Sequence, residues 1–271
     1  WVVEPTGRYS SLVVKQAAEA GRVVRLAPNR AAKLFLRSAS PRAKTDRLDS
    51  FGLALFGLSR PLRAFKPKEE AVEHLDQLLS ARRGLSRSLQ SLKQQRAELA
   101  YAREALDPAI QALAKQIKAA DKSIGDLTKS NPDFKLAEAL RGVPGVGPVA
   151  AAAVASRLCG RDFASPDAFT AYIGLDVAVR QSGKSAGRAK LTKQGDSELR
   201  RLLYMAALAN LRCRESVFKD RYRQLKAGGR SSTASLNIVA RKIAHVCGAL
   251  QRHGGEFDPA KVCCRPEPPR A

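Results

Sequence analysis

The sequence predicts a short α/β domain followed by a longer, mainly helical region. Three observations lead to this prediction. Residues 1–66 alternate short apolar runs with amphipathic stretches. Residues 67–132 carry leucines at intervals of seven, and residues 133–255 contain a glycine-rich turn between helical stretches. The predicted fold class is therefore α/β plus α, in three successive domains.

The chain is strongly basic. Its 271 residues include 48 Lys and Arg against 25 Asp and Glu, which gives a formal charge of +23 and a pI near 10.4. Such a surface attracts polyanions, and nucleic acid is the first candidate, ahead of a membrane surface or an Arg-rich proteome. No apolar run approaches the ~20 residues of a membrane span. The five cysteines form no Cys-x-x-Cys pair and are typical of reduced cytosolic thiols.

The first 66 residues are expected to form two strands and three helices. The predicted strands are "WVVE" and "RVVRLAP", with a helix over residues 10–20 between them. Asn29 is the candidate cap of a second helix that runs through Leu36, and "DRLDSFGLALFGL" forms the third. The predicted buried stripe of that third helix is Leu48, Phe51, Leu55 and Phe56. Because two strands make no stable sheet alone and the chain opens at Trp1, we expect an upstream piece to be missing.

Residues 67–132 are expected to form coiled-coil helices. The leucines that repeat every seven residues are Leu78, Leu85, Leu92, Leu99, Leu106 and Leu113. Arg82, Arg96 and Arg103 interrupt the companion position of the seam. Asp107-Pro108 is a candidate start for a second helix. We expect this coiled coil to hold a homo-oligomer together, a dimer or a tetramer; the alternative is a helical hairpin that packs on its own domain.

The stretch "LRGVPGVGPVAAAAV" begins the third region. A turn at Gly145 and Gly147 would point backbone N–H groups outward at the start of the next helix, where they bind a phosphate without reading a base. This pattern is typical of the helix-hairpin-helix element of DNA-handling proteins, and a plain helical corner is the alternative. Two amphipathic helices, over residues 197–212 and 232–252, follow. Residues 256–271 are expected to be a disordered tail.

Residues 179–201, "VRQSGKSAGRAKLTKQGDSELRR", carry seven basic residues and two acidic ones. Their "GKS" is not a phosphate-binding P-loop, because Ala178 stands where the upstream glycine is required. Ser182 and Ser185 remain candidate nucleophiles, since neighbouring cations would stabilise the charge that develops on a phosphate under attack. Those cations are Arg180, Lys184, Arg188, Lys190, Lys193, Arg200 and Arg201. The alternative is a solvated basic hairpin that only contacts the nucleic-acid backbone.

Asp46 and Asp49 are spaced to project from one helix face, and Glu4 ends the first predicted strand. Carboxylates that converge at a strand end are stabilised by a divalent cation, and Mg²⁺ prefers such hard oxygen ligands. The alternative is that Asp46 caps the helix while Asp49 pairs with Arg47 or Arg42. Lys44 and Arg47 would contact the nucleic-acid backbone.

The motifs together resemble the DEDD-type transposases of bacterial insertion-sequence family 110, which are related to pilin-gene invertases. The stretches that carry the resemblance are "VVEPTGRYS", "VVRLAPNRAAKLF", "RAKTDRLDS", "LRGVPGVGPVAAA", "FTAYIGLDVAVRQSGKS", "LTKQGDSELRRLLYMAALA" and "ARKIA". They occur in both halves of the chain, in the order expected of that family.

The resemblance implies a DNA recombinase with an incomplete RuvC/RNase H-like domain at 1–66, a coiled coil at 67–132 and a helical transposase domain at 133–255. In that family four acids, Asp-Glu-Asp-Asp, bind Mg²⁺. Glu4 matches the Glu, and Asp46 and Asp49 match the last two aspartates. The family's serine nucleophile falls on Ser182 of the "SG" element. The resemblance further implies a structured non-coding guide RNA, a homo-oligomer, and a bacterial cytoplasmic protein associated with the nucleoid.

The family's first aspartate lies on a strand upstream of the Glu and has no counterpart in this sequence. We therefore expect weak or absent activity from residues 1–271 as they stand. Two other functions remain open. One is a catalytically dead nucleic-acid-binding protein, and the other is a RuvC-like nuclease that hydrolyses branched DNA with metal-activated water.

Overall fold

A computed structural model describes residues 1–5, 7–39, 45–178, 181–182, 185–186 and 190–262. The chain divides into two compact units, Trp1–Glu69 and Glu70–Ala271. The predicted coiled coil and the predicted helical domain therefore belong to one unit.

The first unit is a small α/β domain, as predicted. Its elements are β1 (Val2–Val3), α1 (Arg8–Glu19), β2 (Arg25–Leu26), α2 (Asn29–Ala39) and α3 (Asp46–Ser59). The strands β1 and β2 pair in parallel, Val2 with Arg25 and Val3 with Leu26. Residues 63–65 extend the sheet on the other side of β2, because Leu26 N–H donates to Arg63 O (3.1 Å) and Phe65 N–H to Val24 O (2.7 Å). The parallel pair is the arrangement that alternating strands and helices predict.

The buried face of α3 differs from the prediction. Phe56 is 1% exposed and packs on Phe35, with ring centroids 5.4 Å apart. Leu48, Phe51 and Leu55 are 37%, 64% and 39% exposed, so their assignment to the buried stripe is wrong. The reason is close packing at glycine, since a Cβ at Gly52 would overlap Leu36. A helix that approaches its neighbours at glycines turns its large apolar residues outward.

The second unit starts with a helical hairpin. Helix α4 (Glu70–Glu98) is followed by a 3-10 turn (Ala100–Ala102) and by α5 (Arg103–Ser130). The expected helix start at Asp107-Pro108 is wrong, because Pro108 lies inside α5. Asp107 does not cap a helix; its carboxylate pairs with the Arg96 guanidinium of α4. The chain therefore turns earlier, which lets α5 run back along α4.

The arginines that interrupt the leucine seam have partners across the hairpin. Arg82 of α4 pairs with Asp121 of α5, and Arg96 pairs with Asp107. At the base of the hairpin, Leu75 and Ile124 join Phe134 in a buried cluster. The heptad pattern is thus satisfied between two helices of one chain, and the hairpin packs on its own domain. Association of chains through this segment stays a prediction.

The remainder of the second unit is mainly helical. Its elements are α6 (Lys135–Arg141), α7 (Pro148–Leu158), α8 (Pro166–Ile173), β3 (Val177–Ala178), β4 (Gln181–Ser182), β5 (Ser185–Ala186), β6 (Lys190–Leu191), α9 (Ser197–Asn210), α10 (Val217–Ala227) and α11 (Ser232–His253). The alanine-rich α7 is buried along most of its length, and α8, α9 and α11 contribute to the same core. Small side chains let the surrounding helices approach α7 closely. Helices α9 and α11 match the two amphipathic helices that the sequence predicts, whereas α10 was not predicted.

The segment after α11 is ordered further than predicted. The ring of Phe257 stacks on Phe218 with centroids 5.9 Å apart, and Val262 belongs to the core. The prediction of a disordered tail from residue 256 therefore fails for residues 256–262, because two apolar side chains are buried there. Residues 263–271 lie outside the described part of the chain.

Candidate acidic site and nucleic-acid interface

The three predicted acidic ligands lie at the ends of elements in the first unit. Glu4 follows β1 directly and is half-buried. Asp46 is the first residue of α3 and is exposed, and Asp49 lies one turn further on and is half-buried. Asp49 precedes Gly52 by three residues and Phe56 by seven, so it shares their inward face.

The helix cap of α3 is Thr45, whose hydroxyl oxygen accepts a hydrogen bond from Leu48 N–H (3.3 Å). The alternative in which Asp46 caps the helix is therefore wrong. Among the residues that the structure describes, neither Asp46 nor Asp49 forms a side-chain ion pair, whether with Arg47 or with another cation. Arg42 and Lys44 lie outside the described residues. Both carboxylates are thus available for an external cation, and the positive end of the helix dipole favours their charge.

Carboxylate oxygens suit a divalent cation, and the donor chemistry of Asp46 and Asp49 fits such an ion. Within residues 1–5, 7–39 and 45–262 as far as they are described, however, no three His, Cys, Asp or Glu side chains are grouped closely enough to hold a metal. The structure therefore does not join Glu4 to Asp46 and Asp49 as a three-ligand set. A magnesium site at these residues stays a prediction.

The candidate nucleophile Ser182 lies in a β-hairpin. Strand β3 pairs antiparallel with β6, and β4 pairs antiparallel with β5, so that Ser182 stands opposite Ser185. Only residues 183 and 184 separate these two serines. Ser182 is therefore the last residue of β4, and Ser185, the first residue of β5, is its partner. Three of the predicted phosphate contacts lie outside the described residues; they are Arg180, Lys184 and Arg188.

The base of this serine hairpin is tied to the end of α8. The Thr192 hydroxyl donates to the Asp176 carboxylate, and Thr192 N–H donates to Asp176 O (3.0 Å). Gly174 and Gly195 both have positive φ angles, 79° and 141°, and a Cβ on either would overlap neighbouring backbone. Only glycine allows this close crossing of two chain segments. The base of the hairpin is therefore held in one arrangement.

The predicted cations at the end of the basic stretch have different environments. Lys190 and Lys193 are exposed. Arg200 is half-buried and donates from Nη1 to Ile173 O (2.6 Å), and Arg201 pairs with Glu198 (2.6 Å). Arg200 thus stabilises the packing of α8 on α9, which makes it an unsuitable nucleic-acid contact. Arg201 is half-exposed and shares the Glu198 carboxylate with Arg83 (2.9 Å), so that one negative charge faces two guanidinium groups.

The glycine-rich turn between α6 and α7 packs against the end of α9. Gly145 has φ +83°, and a Cβ there would overlap the side chain of Asn210. Gly147 is exposed and begins α7 with no side-chain cap. The two glycines therefore have separate roles. Gly145 permits close packing, and Gly147 leaves the start of α7 open to solvent.

A half-buried ionic junction, which the sequence motifs did not predict, joins the hairpin base to α7 and α9. The Arg157 guanidinium pairs with Asp76 of α4 and with Asp196 (2.8 Å), the N-cap of α9. These side chains line a cavity of about 150 Å³. The one signal in the sequence is that Arg157 is the only charged residue in an otherwise small and apolar helix.

Charge pairing shifts the pKa values in this junction. Burial opposes ionisation of Asp196, yet the capped N–H groups and the Arg157 guanidinium hold the pKa of its carboxyl below the usual value. Burial likewise acts against the charge of Arg157, but Asp76 and Asp196 raise its pKa above the usual value. Both groups are therefore charged at neutral pH, as a stable ion pair requires.

Two family models match separate parts of the chain. A transposase model for the DEDD domain of IS110 elements matches residues 1–100, and the model described as "Transposase IS116/IS110/IS902 family" matches residues 137–223. The chain belongs to the IS110 family of transposases. The transposase is also 25% identical, over 264 residues, to the pilin gene-inverting protein of Moraxella bovis, covering 95% of this chain and 81% of the relative. The pilin gene-inverting protein of Moraxella lacunata matches with the same identity and coverage.

Membership in this family makes the chain a DNA transposase or recombinase, and therefore an enzyme that binds DNA. The family's use of a divalent metal agrees with the carboxylates of the first unit. No described helix of the transposase is long and apolar enough to cross a membrane.

Proposed function

We propose that the transposase cuts and rejoins DNA with the Ser182 hydroxyl as its nucleophile. The observation that supports this most is the place of Ser182 at the end of β4, opposite Ser185, in a stretch with seven basic and two acidic residues. A nucleophile at the end of a short strand can reach a backbone phosphate. The surrounding cations would stabilise the negative charge that develops on that phosphate.

The proposed chemistry transfers a DNA phosphate in two steps, first to Ser182 and then to a sugar hydroxyl of another strand. The Ser182 oxygen attacks the phosphorus of the scissile phosphodiester, and one bridging P–O bond to a sugar breaks. The serine proton ends on the released sugar hydroxyl, so that cleavage needs no water and no external energy source. In the second step a sugar hydroxyl of another strand attacks the phosphoserine, and its proton returns to Ser182.

The acidic residues Glu4, Asp46 and Asp49 would hold Mg²⁺, which when bound neutralises the carboxylates and polarises phosphate oxygens. Asp46 and Asp49 are the stronger candidates, because neither carboxylate is paired within the described residues. Arg47, exposed on the same helix turn, would contact the DNA backbone.

We further propose contact between DNA and the open start of α7 at Gly147, where unpaired N–H groups attract a phosphate. The inverted gene in the names of the Moraxella relatives supports a strand exchange between two DNA sites in this transposase as well. A structured guide RNA and a homo-oligomer complete the proposal, on the strength of the family resemblance.

Paired serine variants test the proposal. With element ends and target DNA as substrates, Ser182→Ala is expected to abolish the strand exchange, weak as it is expected to be, that wild-type residues 1–271 support, whereas Ser185→Ala retains it. Ser185 is the matched control, because it stands opposite Ser182 in the same two-strand ladder. If Ser182→Ala leaves the cleavage rate unchanged, the reaction is a hydrolysis by water. If no variant and no wild-type protein cleaves DNA but all of them bind it, the chain is a binding protein.

A further inference from the structure

A second basic stretch lies outside all the proposed contacts. Residues 212–230 carry seven Lys or Arg and two Asp or Glu, the same ratio as the serine stretch. Residues 133–178 of the same domain do not share it, since they have four basic and five acidic residues. The exposed hairpin of α4 and α5 has ten basic and eight acidic residues over 70–130. Residues 212–230 are therefore more basic than either of these two parts of the same unit.

The fold turns four of the seven cations of this stretch toward solvent and leaves Lys219, Arg221 and Arg230 half-buried. Helix α10 buries Phe218 and Leu225 in the core, which leaves Arg223 and Lys226 exposed on its outer side. Arg212 and Arg214, in the loop before α10, are also exposed. Among the described residues, the side chains of Arg212, Arg214 and Lys226 have no hydrogen-bond or ion-pair partner. Arg223 is exposed and pairs with Asp220 of its own helix (3.5 Å). Exposed cations without a partner suit a polyanion.

Asn210 fixes this stretch beside the glycine-rich turn. Its fully buried amide donates from Nδ2 to Pro144 O of the turn (2.7 Å) and to Ala206 O of α9 (2.9 Å). Its Oδ1 accepts from the Ser216 hydroxyl (2.6 Å), and Ser216 is the N-cap of α10. The turn, the end of α9 and the start of α10 thus meet at one buried side chain. The loop with Arg212 and Arg214 emerges at that junction.

We propose that the loop and the outer side of α10 form a binding surface for the phosphodiester backbone of a nucleic-acid duplex, continuous with the start of α7. The aromatic rings of the stretch exclude base stacking, because Phe218 is buried and Tyr222 packs against the core. Contact through unpaired cations alone is independent of base sequence. The surface extends the proposed DNA contact at Gly147 and in that respect rests on the proposed function.

Charge removal on this surface tests the inference. The variant carries Arg212→Gln, Arg214→Gln, Arg223→Gln and Lys226→Gln, and the matched control carries Lys93→Gln, Lys115→Gln, Lys118→Gln and Lys122→Gln on the exposed hairpin. Both lose the same formal charge. Binding to a DNA duplex and to an RNA stem of equal length is measured over a range of salt concentrations. The surface variant is expected to bind at least about tenfold more weakly, with a salt slope lower by roughly two to four, while the control stays within about threefold.

Comparison of the DNA duplex with the RNA stem also identifies the ligand. Loss on DNA alone assigns the surface to DNA, loss on RNA alone assigns it to RNA, and equal loss assigns it to the backbone common to both. A surface variant that binds like the control overturns the inference. A second variant replaces the three arginines by lysine and keeps Lys226, so that the positions change but the charge does not. It is expected to bind like the wild type, which would show that lost charge and not misfolding weakens the glutamine variant. The experiment measures binding and not cleavage. Its result can therefore be interpreted even if Ser182 is not the nucleophile.

Discussion

Gly145 and Gly147 are two glycines of one turn with different physical requirements. At Gly145 the backbone has φ +83°, and a Cβ would overlap Asn210 Nδ2 and Ala206 O. At Gly147 φ is −78°, and a Cβ would meet nothing within 4 Å. The sequence pattern alone treats the two positions alike. The packing of α9 against the turn distinguishes them.

Gly145→Ala is expected to lower the free energy of unfolding by about 2–4 kcal/mol, because strain and overlap with α9 add together. Gly147→Ala is the matched control and is expected to change it by less than about 0.5 kcal/mol. Urea unfolding of both variants measures the difference. Equal effects at the two positions would contradict the packing described for the turn.

The aspartates of α3 are expected to act in the reaction more than in folding. Asp46→Asn and Asp49→Asn should each reduce DNA cleavage at least about a hundredfold, since a metal ligand is lost. Their effect on stability should stay below about 1 kcal/mol, the size of a helix-dipole interaction. Cleavage rates and thermal unfolding are measured on the same preparations.

Thr45→Ala is the control for these aspartates. It removes the observed cap and should cost about 1 kcal/mol of stability while leaving both carboxylates in place. Cleavage close to that of the wild type is therefore expected. The metal-site assignment fails if Thr45→Ala reduces cleavage as much as Asp46→Asn does.

At the scale of elements, the junction at Arg157 links the hairpin base, α7 and the first turn of α9. The pKa of Asp196 is lowered in the folded chain, so its ionisation stabilises the fold above the unfolded-state pKa of about 3.9. This contribution is lost as pH falls through that value toward the folded-state pKa. Asp196→Asn should lower the free energy of unfolding at neutral pH by about 2 kcal/mol.

The pH dependence checks the cause of that loss. Between about pH 5 and pH 3, the wild type should lose more stability than Asp196→Asn, because the variant has no carboxylate to protonate at this position. Unfolding curves across this range give the comparison. Parallel losses in the two proteins would mean that the Arg157–Asp196 pair does not contribute.

The ion pairs of the hairpin set how α4 and α5 align. Arg82–Asp121 is the less exposed pair, with side chains 22% and 38% exposed, whereas those of Arg96–Asp107 are 45% and 38% exposed. A double-mutant cycle with Arg82→Ala and Asp121→Ala should give a coupling of about 1 kcal/mol. The cycle at Arg96 and Asp107 should give a smaller one. No coupling at Arg82 and Asp121 would rule out their pairing within one chain.

Helices α4, α5, α9 and α11 of the second unit were predicted from sequence periodicity, but their partners were not. Heptad leucines predict a helical seam and leave open whether the facing helix belongs to the same chain. In the structure the facing helix belongs to the same chain, because Asp121 and Asp107 of α5 pair with the seam arginines of α4. The sequence pattern does not show these pairs. The predicted buried face of α3 was wrong for a related reason. The helix contacts Leu36 at Gly52, and the larger residues of the predicted face are exposed instead. Element types were therefore predictable, whereas contacts that depend on glycine or on distant ion pairs were not.

Across the whole molecule, two stretches of the helical unit, residues 179–201 and 212–230, each carry seven basic and two acidic residues. The sequence predicted the first of them and its serines, because motif and charge coincide there. It did not predict the second, since α10 is short and carries no motif. The carboxylates belong to the other unit, so the chain assigns acid residues and nucleophile to separate folded parts.

The most direct test of the serine mechanism is to identify the residue that becomes joined to DNA. The protein is incubated with Mg²⁺ and a substrate whose cleaved end cannot be rejoined, and the covalent product is digested and sequenced by mass spectrometry. A Ser182 nucleophile predicts a nucleotide remnant on Ser182, with none on Ser185 and none after Ser182→Ala. A remnant on Ser185, or cleaved DNA with no protein attached, would contradict it.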